Sequence, residues 1–140
     1  MNLYAESSAV LAWLLDEVSA TDVRRLLAAA DIIVASDLTL IECDRVLLRA
    51  AALGELSEAE AADRRAHLTL AASHWQVLRI GAEIVDRARL PFPGEPIRTL
   101  DAIHLAAALA GRAAIAGLAI LSLDTRVCTA AKRLGLQVVP

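Results

Sequence analysis

Residues 99–123 read TLDAIHLAAALAGRAAIAGLAILSL, and the way this run is divided decides the fold. As one unbroken element it would be apolar enough to enter a bilayer, which takes about 20 consecutive apolar residues in a helix. Gly111–Arg112 breaks the most membrane-like part, His104–Leu123. The run therefore reads as a helix over Thr99–Ala110 followed by a strand over Leu118–Leu123. A strand apolar on successive residues is buried on both faces, the mark of a parallel sheet covered by helices.

The same alternation extends in both directions. Asn2–Ala5 is a short strand, Ser7–Asp16 and Ala20–Ala30 are helical, and Asp31–Ala35 (DIIVA) is a second apolar strand. Leu38–Leu53 is a long helix closed by Gly54. Ser57 followed by Glu60 opens a helix through Ser73 with a capping box. Trp75–Ile80 is a strand and Ala82–Leu90 a helix. Pro91–Pro96 (PFPGEP) is a loop, Thr125–Leu134 a helix and Gln137–Val139 a last strand. The expected fold is α/β: a central parallel sheet of some four to five short strands flanked by helices on both faces. In such sheets ligands bind at the carboxyl ends of the strands, where strand order reverses.

Composition sets the bounds. A chain of 140 residues is expected to form a single domain, 1–140, and 57% hydrophobic residues exclude disorder. The apolar excess reads as surface reserved for a partner or a second copy. A net charge of -3 excludes a strongly basic nucleic-acid-binding domain, although 13 arginines leave room for local cationic clusters. Cys43 and Cys128 form no CxxC pair and read as buried, reduced thiols of a cytoplasmic protein. The three histidines lack metal-finger spacing, and the N-terminus has no basic secretory region.

Four acidic residues carry the functional argument. Glu6 directly follows the first strand, where Ser7 or Ser8 would make the better helix cap. Asp124 follows the fourth strand and also reads as an N-cap for the next helix. If those strands are neighbours, the two carboxylates converge. Asp101 lies in a helix apolar nearly all round, where an ionised carboxylate costs several kcal/mol unless paired. His104, three residues on, shares its face and reads as a hydrogen-bonded core residue rather than a ligand. The spacing of Glu42 favours an ordinary surface pair with Arg45 or Arg49.

The chain resembles the PIN-domain family, and within it the VapC-type ribonuclease toxins. Leu3-Tyr4-Ala5-Glu6-Ser7-Ser8-Ala9-Val10-Leu11 looks like that family's strand, acid, Ser/Thr-Ser turn and helix. Leu38-Thr39-Leu40-Ile41-Glu42-Cys43 looks like the helix carrying its second acid. Arg98-Thr99-Leu100-Asp101-Ala102-Ile103-His104-Leu105-Ala106 is the nearest match, and Ser122-Leu123-Asp124-Thr125-Arg126 matches the closing segment. The family usually places Asp at the first position, where this chain has Glu6.

The resemblance implies a metal-dependent endoribonuclease toxin cleaving structured RNA such as tRNA, leaving a 5′-phosphate and a 3′-hydroxyl. Glu6, Glu42, Asp101 and Asp124 would be its catalytic acids. Glu6, Asp101 and Asp124 would hold Mg²⁺ or Mn²⁺, and Glu42 would orient water. Carboxylates without thiolate or imidazole select such hard ions. Two like charges 4 Å apart repel by about 4 kcal/mol at an effective dielectric of 20, so a cluster of acids calls for a cation. Ser8, Arg98, Ser122 and Arg126 would contact the acids or the RNA phosphates, with Arg45 and Arg49 as further candidates. The likeness also implies a homodimer, silenced by a VapB-type antitoxin whose tail brings a basic residue to the acidic pocket. Glu58–Ala72 is a candidate interface helix, though it reads better as an amphipathic core helix. The alternative is a PIN-fold RNA- or protein-binding module, catalytically weakened by Glu6. On the resemblance alone, Glu6→Asp should preserve or raise activity.

Overall fold

Five strands, β1 (Asn2–Ala5), β2 (Ile32–Ser36), β3 (Gln76–Leu78), β4 (Leu118–Leu121) and β5 (Gln137–Val139), form one sheet in a computed structural model that describes residues 1–140. Every neighbouring pair is parallel, and the order is β3-β2-β1-β4-β5. Strand order reverses between β1 and β4, so the crevice expected for a ligand lies at Ala5 and Leu121, which are register partners.

Seven helices cover the sheet: α1 (Ser7–Leu14), α2 (Ala20–Ala29), α3 (Asp37–Ala52), α4 (Glu58–Ala72), α5 (Ala82–Ala88), α6 (Thr99–Ala114) and α7 (Thr125–Arg133). The two-residue period of a strand assigns them to faces. Leu3 and Ala5 of β1 pack with Ala9 and Val10 of α1, Val23 of α2, and Cys43, Leu47 and Leu68 of α3 and α4. Tyr4 between them points the other way, into a core of Ile84, Leu105 and Val127 from α5, α6 and α7. β4 divides likewise, Ala119 and Leu121 to one face and Leu118 and Ile120 to the other. Each large apolar side chain buried in these layers contributes about 1.5–3 kcal/mol.

Two of the boundaries that differ from the sequence reading, and the burial of one helix, have physical reasons. α6 runs through Gly111 to Ala114 instead of stopping at Ala110. Gly111 is there for close packing: a Cβ on it would lie 2.8 Å from Leu118 Cδ2. β4 ends at Leu121 rather than Leu123, because the Ser122 hydroxyl accepts from Asp124 N–H (3.1 Å) and turns the chain toward α7. α4 carries the expected capping box of Ser57 and Glu60 but buries only Ala61 and Leu68, less than a core helix would. Of the two free thiols, Cys43 is buried, but Cys128 is only half-buried, lying on the rim of α7 with Sγ 3.4 Å from Ser122 O.

The β1 end and the α3 start are tied together. The Thr39 hydroxyl donates to Ala5 O (3.1 Å) and accepts from Ser36 N–H (3.4 Å), completing a capping box at the head of α3. That junction fixes the first turns of α3, and Glu42 with them, beside the crevice.

Candidate functional site

Glu6 leaves β1 as the N-cap of α1. Its Oε2 accepts from Ser8 N–H (3.2 Å), the Ser8 hydroxyl and the Ser122 hydroxyl (2.7 Å). Glutamate is an unusual cap. Its longer arm folds back far enough to take the cap bond and the hydroxyls together. The Ser8 hydroxyl also accepts from Leu123 N–H (2.9 Å), so Glu6, Ser8 and Ser122 lace the neighbouring strand ends together. Glu6 is only 5% exposed.

Glu42 arrives from α3. The expected surface pair with Arg45 or Arg49 is absent. Its Oε1 instead accepts from the Ser7 hydroxyl (2.9 Å) and meets His104 Nε2 at 2.5 Å. Burial raises the Glu42 carboxyl, but the hydrogen bond and charge of His104, with the Ser7 hydroxyl, outweigh it and hold the group below the ordinary carboxylate range. His104 is buried in α6, as its place on an apolar helix implied, and its Nδ1 lies 3.0 Å from the Tyr4 hydroxyl. Tyr4 in turn lies 3.0 Å from Ser36 Oγ. Burial drives the Tyr4 phenol far above its usual range, so it remains a neutral hydrogen-bonding group.

Asp101 sits in the first turn of α6, half-buried. Burial raises its carboxyl, and the charges of Asp124 and Glu6 raise it further, with His104 and Arg98 opposing. Asp101 therefore lies within the field of both other acids. Asp124 caps α7 as the sequence allowed, its Oδ1 accepting from Arg126 N–H (2.8 Å) and Val127 N–H (3.3 Å). Its second oxygen is left over.

Glu6, Glu42 and His104 form the tightest group of metal-type donors, with ligand atoms within 4.8 Å of one another. His104 is nonetheless a poor ligand. Its Nε2 faces a carboxylate at 2.5 Å and so carries a proton, leaving no lone pair for a metal. The available donors are carboxylate oxygens: Glu6 Oε1, the free oxygens of Glu42 and Asp124, and Asp101. No lysine or arginine forms an ion pair with any of them; the imidazole of His104 is the only basic side chain close to Glu6 and Glu42. An all-oxygen, anionic donor set with no arginine or lysine against it fits a hard divalent cation.

The sequence reading gave His104 as a hydrogen-bonded core residue, as the structure has it, but missed its partner Glu42 and the part played by Ser7. The only signal for His104 was its shared face with Asp101. For Ser7 it was its place next to Glu6.

Comparison with known proteins agrees with this architecture. A family model described as PIN domain matches residues 3–134. No curated protein matches. Among solved structures, Mycobacterium tuberculosis VapC20, a sarcin-ricin loop cleaving toxin, is 16% identical, with 91% of this chain and 94% of that chain covered and a TM-score of 0.66. A toxin–antitoxin complex from Klebsiella pneumoniae is 18% identical, with 100% and 97% covered and a TM-score of 0.67. FitAcB from Neisseria gonorrhoeae is 16% identical, with 100% and 97% covered and a TM-score of 0.68. At these identities the likeness speaks for the fold alone.

Proposed function

The chain belongs to the PIN-domain family, and from that premise we propose that residues 1–140 form one PIN domain acting as a metal-dependent endoribonuclease of the VapC toxin type, cleaving structured RNA such as tRNA. What supports the reading is that Glu6 and Asp124 follow the register-paired ends of β1 and β4, that Asp101 is near enough for the charges of both to raise its carboxyl, and that no arginine or lysine is ion-paired to any of the three.

Glu6, Asp101 and Asp124 would hold Mg²⁺ or Mn²⁺. Such an ion, when bound, lowers the pKa of a water and offsets charge building on the phosphate. The rest falls to the chain. Glu42, gripped by His104 and Ser7, has one orientation and offers its second oxygen to the attacking water as a hydrogen-bond acceptor. Ser8 and Ser122 hold Glu6 in place and are thereby less free to contact phosphate than the resemblance implied. Arg98 and Arg126 flank Asp101 along a groove and are suited to take backbone phosphates.

The partners follow as part of the same proposal: a VapB-type antitoxin, a second copy of the chain, a cytoplasmic setting. What supports them is that solved relatives of this fold are toxin–antitoxin complexes. In addition, α3 exposes Ile41, Val46 and Leu48, with Leu53 just beyond its end. No helix is long and apolar enough to cross a membrane.

The deciding experiment is cleavage of total tRNA by the wild-type chain with Mg²⁺ or Mn²⁺, with EDTA, and by Asp101→Asn. The expected result is 5′-phosphorylated fragments with either metal only, and none from Asp101→Asn. Intact RNA in every lane, with tRNA still bound, would favour the binding-module alternative. Equal cleavage by Asp101→Asn would refute the assignment.

A further inference from the structure

Beside the acids lies an open groove of about 470 Å³, lined by Arg98, Asp101, Thr125, Arg126, Thr129 and Arg133. Arg126, Thr129 and Arg133 fall at i, i+3 and i+7 of α7, so one helix face presents all three. Arg98 enters from the head of α6.

Arg98, Arg126 and Arg133 are, with Arg45, Arg49, Arg79 and Arg89, the arginines that form no ion pair, stack or carbonyl bond, and of these seven the groove gathers three. Arg24, Arg25, Arg64 and Arg65 are ion-paired, Arg87 stacks on Phe92, and Arg112 donates to backbone carbonyls. Arg98, Arg126 and Arg133 form no ion pair. The nearest acid of the adjoining loop, Glu95, is already occupied by its own backbone: Oε1 accepts from Phe92 N–H (3.0 Å) and Oε2 from Ile97 N–H (2.7 Å). Both oxygens of the loop's one carboxylate are thus engaged by its own backbone, and it forms no ion pair with these guanidinium groups.

Arg133 also has a made seat. It lies across Gly94, whose φ is +83°, and a Cβ built there would stand 1.9 Å from one Arg133 nitrogen and 2.9 Å from its Cδ and Cζ. The left-handed backbone favours glycine there. With no Cβ at position 94, the exposed Arg133 side chain can lie along the loop at the groove.

A guanidinium fork matches phosphate oxygens in geometry and charge. An RNA strand with its scissile phosphate at Asp101 and Asp124 continues past them, and this groove is the adjoining cationic surface. Resting on the nuclease reading above, we propose that the Arg98–Arg126–Arg133 groove is a second phosphate subsite. It would grip a backbone phosphate flanking the scissile one, with Arg133 as a specificity-determining contact seated on Gly94.

The test measures tRNA affinity by fluorescence anisotropy in EDTA, where nothing is cut, across a salt series. The variants are Arg133→Gln, Gly94→Ala, the double variant, and Arg79→Gln as an exposed control. Wild-type cleavage with Mg²⁺ or Mn²⁺ runs alongside. Arg133→Gln and Gly94→Ala should each weaken binding about tenfold and flatten the log–log salt dependence by roughly 0.7–0.9, one phosphate contact. The double variant should be no worse than either single one, since both remove the same contact. Arg79→Gln should bind as wild type. Circular dichroism checks that each variant is folded, and Arg133→Gln alters an exposed side chain only.

If wild type binds and cleaves while Arg133→Gln binds equally well, the subsite is wrong and the nuclease reading stands. If wild type neither binds nor cleaves RNA, both fall. If Arg133→Gln keeps its RNA affinity but loses affinity for a hexaglutamate peptide, the groove belongs to an acidic protein partner and the proposal is overturned.

Discussion

The two halves of the acid cluster are built on opposite terms. Glu6 and Glu42 are embedded among Ser7, Ser8, Ser122 and His104, with every buried polar atom satisfied. Asp101 and Asp124 stand at the open edge, facing each other's charge and a groove of uncommitted arginines. The closed half holds its carboxylates in fixed directions because Glu6 is buried and the hydroxyls of Ser7, Ser8 and Ser122, with His104, bond both acids, although 27% of the Glu42 side chain stays exposed. The open half carries repulsion that His104 and Arg98 only partly offset. The proposed metal-dependent nuclease would use both, a rigid wall and an unsatisfied mouth.

The sharpest test of this contrast is Asp124→Asn. Asparagine caps a helix about as well as aspartate, so stability should stay within about 0.5 kcal/mol. Loss of the charge should nonetheless cut tRNA cleavage by more than roughly a hundredfold, beyond what outer hydrogen-bond partners of a metal contribute. Unchanged cleavage would reduce Asp124 to a cap. Glu6→Asp probes the closed half. Because Glu6 Oε2 is shared among Ser8 and Ser122, a shorter arm gives up a charge-assisted bond of about 1.5–3 kcal/mol. Cleavage should then fall about tenfold to a hundredfold, the reverse of what family likeness alone implies. Equal or higher activity would show that the closed half tolerates the exchange.

Stability should separate the halves by sign. In metal-free protein, Glu42→Gln loses its charged bond to His104 and should cost about 1.5–3 kcal/mol, a fall of several degrees in Tm. Asp101→Asn removes an ionised group held above its ordinary range by burial and by Asp124 and Glu6. It should raise Tm slightly, by less than about 1 kcal/mol after solvent screening. Shifts of the same sign would erase the distinction.

The smallest effect is a control far from the cluster. Glu60 is held below its ordinary value of 4.5, first by the Ser57 backbone N–H and then by the Ser57 hydroxyl. A lowered folded-state pKa gives stability that is complete above the unfolded value and lost as pH falls through the folded one. The Tm gap between wild type and Glu60→Ala should therefore be constant above about pH 5 and narrow below 4.5. A gap insensitive to acid would mean the capping box contributes nothing through its charge.

The halves also differ in how legible they were. Apolar runs such as DIIVA and LAIL announce buried parallel strands, because a strand covered on both faces needs no polar residue. Glu6 and Asp124 could be read because strand ends are fixed points of the topology. Glu42 was misread because helical spacing reveals neighbours at i+3 and i+4, whereas its partner His104 lies 62 residues away. Arg133 was overlooked for a similar reason: its significance comes from Gly94, on a loop that no periodicity joins to α7.

Gly111 is the fulcrum of a lever. It sits ten positions along α6 from Asp101, about 15 Å at helical rise. A side chain larger than hydrogen must displace the Leu118 methyl or lift that end of the helix from β4. A tilt of α6 about that end would move Asp101 relative to Glu6 and Asp124, although Gly111 touches none of them. Random mutagenesis that screens for harmless variants of this chain should return position 111 among its hits, folded but silent.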